Sequence, residues 1–189
     1  DFRNCLLVEQ PNGDFARTIA RQLLYSTWQH LLLQRLTGSS DSFLAAFAAK
    51  AVKEVAYHRE LASEWAVRLG DGTEESARRM ADGLGWCWRF VPELFEVDDC
   101  LEEMIASQTV PDPRTYESEY YAAIEAVLGK QNRVAGLGVG RLVIVTCFLG
   151  GAAAAEGDQL HQGPSIRVLF GKHTSRAGAR PVRPPELPR

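Results

Sequence analysis

An all-α fold is predicted for residues 1–129, followed by a tail of different character over residues 130–189. Three observations predict it. Apolar residues recur at steps of three and four through the first 129 positions, the period of a helix with one buried face. Cap residues and breakers punctuate that pattern at regular intervals. The texture then changes: residues 130–189 hold 9 of the 16 glycines and 5 of the 9 prolines.

The first long helix is read over Asp14–Leu36, "DFARTIARQLLYSTWQHLLLQRL". Asp14 is its N-cap, and it stops before Gly38. Phe15, Ile19, Leu23, Leu24, Trp28, Leu31 and Leu32 cover most of its circumference, so burial on more than one side is expected. The preceding "PNG" is read as a break between helices, because no period-2 alternation flanks it to make a hairpin.

A second helix runs from about Ser42 to Leu69, capped by "GSSDS" and stopped by "LGDG". Its seam reads Leu44, Ala48, Ala51, Val55, His58, Ala62, Trp65, Leu69, in alternating steps of four and three. The third helix starts at the N-cap Thr73, with Glu74 and Glu75 at the positive end of its dipole. It continues through "SARRMADGLGWCWRFVPELFE", and Gly83, Gly85 and Pro92 inside it predict a kink. Met80, Leu84, Trp88, Val91 and Phe95 mark its buried face. After a short "DDCLEEMIAS" piece, read as a solvated acidic face, the last helix has Asp112 as cap, Pro113 at its first position and Gly129 at its end. Tyr116, Tyr120, Ile124 and Val127 line it. The tail is strand-like in "GLGVGRLVIVTCFLGG" and unstructured in "GARPVRPPELPR". Its "GLGVG" lacks the strand–loop–helix context of a phosphate loop.

Length and composition bound the function. A chain of 189 residues can bury one real core. Residues 1–129 carry a net charge of −9 and residues 130–189 a net of +6. An acidic body argues against nucleic acid as a partner. The longest apolar run, Arg141–Leu149, is far below the ~20 residues that span a bilayer, so no membrane role is expected. Cys5, Cys87, Cys100 and Cys147 are scattered, without metal or disulfide spacing, which suits a reducing cytoplasm. Cys87 reads as a buried structural thiol, and "WCWRF" as core plus interface.

The stretch "KEVAYHRELASEW", Lys53–Trp65, carries the sharpest chemical question. Glu54 and His58 stand four apart on one helix. Di-iron bundles use a Glu-x-x-His pair, with both side chains projecting into the core. Three residues before His58 stands Val55, a hydrocarbon where a carboxylate is required. Glu54 is turned about 100° from Val55 by the helical period. One carboxylate and one imidazole fall well short of a di-iron ligand set. The other histidine of the body, His30, has Thr27 three residues before it. The expectation is a core histidine at His58, bonded to a neighbour, a solvated or paired Glu54, and no metal site.

Four stretches, "NCLLVEQPNGDFARTIARQ", "KAVKEVAYHRELASEWAVRLGDGTEES", "WRFVPELFE" and "DPRT", resemble the C subunit of bacterial ring-1,2-phenylacetyl-CoA epoxidase, in order and spacing, from residue 1 to about residue 128. The resemblance implies a ferritin-like helical bundle. It implies that the di-iron centre and the CoA thioester site lie on a partner, the A subunit. The C subunit, without metal ligation, is then its structural partner and has no cofactor of its own. A small B subunit and a separate reductase delivering electrons from NADPH complete the system, which converts phenylacetyl-CoA to a ring epoxide with oxygen. No catalytic residue carries over; Glu54, Val55 and His58 mark only the former ligand face. Family members have further helices before the equivalent of Asp1, so part of the core is expected to lie open here. They also end in a helix, whereas the tail over 130–189 has the look of a GC-rich gene read out of frame. Two other classes compete: a di-iron oxidase with its own metal, and a helical regulatory or ligand-binding module.

Overall fold

The computed structural model describes residues 4–130, all within one compact unit. Six α-helices and two 3-10 turns occur among them, and no strand. The expectations for residues 131–189 lie outside the described residues.

Helix α1 is a single turn, Leu6–Glu9. Gly13 then reverses the chain at φ +64°, in the left-handed region where glycine meets no Cβ penalty. Helix α2, Phe15–Leu36, begins on the expected cap: the Asp14 carboxylate accepts from the Arg17 backbone N–H. Helix α3, Ser42–Gly70, is capped by Asp41, which accepts from Phe43 and Leu44. The short link between them makes α2 and α3 antiparallel neighbours. Helix α4, Glu74–Trp88, starts at Thr73, whose hydroxyl accepts from Ser76.

The kink expected in the third helix is instead an end. The α-helix stops at Trp88, and a 3-10 turn follows over Pro92–Phe95. Pro92 has no N–H to give, and its ring would collide with the carbonyl four residues back, which is that of Trp88. Gly83 and Gly85 lie inside α4 without breaking it. Helix α5, Asp99–Ala106, is capped by Asp98 and has no fully buried residue. The last helix is also divided. A 3-10 turn, Pro113–Tyr116, leads into α6, Glu117–Leu128, with the junction at Tyr116 (φ −123°, ψ 13°).

Helix α2 is the central element, packing against α1, α3, α4 and α6. The main core joins Leu7, Leu23 and Leu24 to Met80, Leu84 and Val91, and to Phe95, Tyr116, Tyr120 and Ile124. Phe95 packs edge-on against Tyr120 at 5.2 Å between ring centroids and against Tyr116 at 6.2 Å. Trp28 ties α2 to the chain after α4 by donating to the Leu94 carbonyl at 3.0 Å. A smaller cluster, Leu33, Leu36, Ala48 and Val55, seals the end of the α2–α3 pair. The double-sided burial expected of α2 holds for Leu23, Leu24 and Leu31. It fails at Phe15, in the first turn, which stays 52% exposed beside Trp65.

Candidate docking interface

Helix α3 carries the residues singled out from sequence. Its buried line is Ala48, Val55, Ala62, Ala66 and Gly70. These side chains are small, so α2 approaches closely. The line follows the expected seam through Ala62 and then drifts to Ala66 and Gly70. A straight helix turns about 20° per heptad away from a strict seven-residue repeat, which is the sense of this drift.

His58 falls outside that line. It is exposed, as is Glu54, which corrects the expectation of a core histidine. The reason is geometric. The seven-residue spacing of Ala48, Val55 and Ala62 centres the contact on one edge of the predicted stripe, and Leu44, Ala51, His58 and Trp65 lie on its other edge. There, burial is at best partial. Val55 itself is 7% exposed and packs with Leu33, Leu36 and Ala48. The Glu-x-x-His position is thus filled by a buried hydrocarbon, and the two polar residues beside it point to solvent. Among the described residues no group of three or more His, Cys, Asp or Glu is placed to hold a metal ion.

The outward side of α3 is apolar. Phe43 is 77% exposed, Phe47 56%, Tyr57 66% and Leu61 45%. At 100° per residue these four lie within an arc of about 80°, and Lys50 and Glu54 fall inside it. His58 sits at its edge. Four of the six exposed large apolar side chains among the described residues are on this one face; the others are Leu6 and Phe15. Sequence reading missed it. The signal was present as two off-seam pairs at helical spacing, Phe43/Phe47 and Tyr57/Leu61.

Titratable groups elsewhere are set by burial. His30, on α2, is held below its ordinary value by burial and by the nearby Arg59 charge. Burial pushes the Cys87 thiol up, against the opposing fields of Arg21, Arg17 and Arg89. Tyr116 is pushed up to about 12, chiefly by burial. None of these groups gathers with others into a catalytic constellation among the described residues. No helix among the described residues is long and apolar enough to cross a membrane.

The fold and this face define a ferritin-like helical protein with an apolar surface on one long helix. The chain belongs to the family described as phenylacetic acid catabolic protein, which matches residues 1–134. It is similar to the C subunit of the 1,2-phenylacetyl-CoA epoxidase of Escherichia coli (strain K12), with 45% identity over 132 residues, covering 67% of this chain. The match covers 53% of that relative, so the chain spans about half the length of the curated relative.

Proposed function

We propose that this chain is a non-catalytic structural subunit of a multicomponent di-iron monooxygenase, one that epoxidises the ring of phenylacetyl-CoA in the cytoplasmic breakdown of phenylacetate. In this reading it supports a catalytic A subunit. The iron belongs to that partner, and electrons from NADPH arrive through a separate reductase. The observation that carries the reading is Val55. Its hydrocarbon side chain has no donor atom, and it is buried in the α2–α3 seam three residues before His58, the spacing at which a Glu-x-x-His pair needs its carboxylate. Likeness to one component of an epoxidase supports the choice of system. Assembly also needs a surface, and the outward face of α3 offers an apolar one.

Co-expression with an A subunit tests the reading. The complex should co-purify, its iron should follow the A subunit, and the chain alone should hold no stoichiometric iron. Two irons per chain on this protein alone, with oxygen consumption, would overturn it in favour of an oxidase with its own metal.

A further inference from the structure

Three sequence features that the scaffold reading does not use, the "PNG" break, Gly83 and "WCWRF", converge on one residue, Arg17. The Arg17 guanidinium lies over the Trp86 ring at 4.6 Å, and that of Arg89 lies over the same ring at 4.5 Å. Arg17 comes from α2 and Arg89 caps the C-terminus of α4, so two elements bring a cation to one indole. Arg17 is seated by two glycines. A Cβ at Gly13, already at φ +64°, would come within 2.7 Å of Arg17 Cδ, and a Cβ at Gly83 within 3.0 Å of Arg17 Cα. Any side chain at either position would push against Arg17.

The cluster is rich in donors and poor in acceptors. Arg78 and Arg79 nearby are ion-paired with Glu75, Asp82 and Asp14. Arg17 and Arg89 have no ion pair among the described residues. Arg21 donates only to neutral acceptors, the Gln10 carbonyl and the Asn12 side chain. The Trp86 indole N–H is buried with no hydrogen-bond partner among the described residues. On a body with a net charge of −9, this is a local positive site. A guanidinium held over an aromatic ring by its charge can still donate N–H groups to oxyanions.

We propose that the Arg17–Trp86–Arg89 stack is a docking site for an acidic segment of a partner polypeptide, each guanidinium taking one carboxylate. Charge selects the ligand: two cations without an ion pair among the described residues fit a segment that carries two carboxylates. Both guanidinium carbons lie within 4.6 Å of one ring centroid, so they stand at most about 9 Å apart. Two glutamates a helical turn apart can reach both, because their Cβ atoms stand about 5–6 Å apart and the side chains flex outward.

The test uses the 189-residue chain and a synthetic alanine-based peptide with two glutamates four residues apart. Its glutamine counterpart and inorganic phosphate are the controls. The readout is the Trp86 indole N–H signal in NMR, assigned with Trp86→Phe. The glutamate peptide should shift that signal in a salt-sensitive manner. Arg17→Gln and Arg89→Gln should each weaken binding about threefold, the scale of an exposed charge pair. Both together should weaken it about ninefold, and Arg114→Gln should leave it unchanged. An unmoved indole signal, equal binding of the glutamine peptide, or phosphate binding as tightly as the glutamate peptide would each overturn it. Because the chain is measured alone, the outcome is independent of where the iron of an assembled complex resides.

Discussion

Helices α2 and α3 are antiparallel neighbours of similar build, yet their surroundings differ. Of the 22 residues of α2, ten are buried; of the 29 of α3, five are. Helix α2 is covered by α1, α3, α4 and α6, while α3 has its main cover on the α2 side. The apolar residues of α3 that take no part in that seam therefore face solvent. An amphipathic pattern thus gives a helix its capacity for burial. The number of neighbours decides how much of that capacity is used.

Five substitutions or conditions probe that difference. The largest effect belongs to the well-covered side. Phe95, 6% exposed and packed on Tyr116 and Tyr120, should cost about 3–5 kcal/mol when changed to Ala, read by urea denaturation. A loss below about 1 kcal/mol would mean that the aromatic cluster repacks and that the two sides are less unlike than they look.

Next comes the seam itself. Val55→Glu restores the Glu-x-x-His spacing but places a carboxylate among Leu33, Leu36 and Ala48. It should destabilise by about 2–4 kcal/mol and bind no iron. Metal analysis and thermal unfolding check the two halves of that statement separately.

Trp65 lies on the boundary between the covered and open sides. It is half-buried against Phe15, with Arg68 over its ring. Trp65→Ala should cost about 1–2 kcal/mol, less than a core aromatic, because part of its area is wet before the change. A cost equal to that of Phe95 would move the boundary outward.

The pH dependence of His30 is smaller still. Its folded pKa is lowered from the ordinary 6.5, by burial first and then by Arg59, so the folded state favours the neutral ring. The unfolded chain binds the proton more readily. The stabilising contribution is therefore fully present above the unfolded value and is lost as pH falls through the folded one. His30→Gln should flatten the stability profile on the acid side of 6.5, as measured by denaturation midpoints across pH.

The smallest stability effect is expected on the open face. Phe43→Ser, at 77% exposure, should change the stability of the chain by no more than about 0.5 kcal/mol. If the outward face of α3 is used in assembly, the same change should weaken co-purification with the A subunit. A loss of stability comparable to the Trp65 change would mean that Phe43 is already covered.

Where sequence reading erred, the cause was tertiary. Pro92 is visible in the sequence, but a proline inside a periodic pattern can kink a helix or end it, and the 3-10 turn at Pro92–Phe95 shows the latter. His58 sits in a faultless run of three- and four-residue steps, yet a stripe that wide has two edges. Only the position of α2 decides which edge is covered. The Arg17–Trp86–Arg89 stack joins residues about 70 positions apart, and no local pattern announces it.

The sequence by itself determined the helical class, the caps at Asp14, Thr73 and Asp112, a cap somewhere in "GSSDS", and the missing carboxylate at Val55. Each is a local matter, decided by the period of the helix, by side chains that reach their own backbone, or by the identity of one residue. Tertiary structure decided that His58 and Glu54 face water, that Phe43, Phe47, Tyr57 and Leu61 form an open apolar face, and that Arg17 lies against Trp86. Those outcomes depend on which neighbours arrive, and burial is a property of the pair of surfaces rather than of either helix alone.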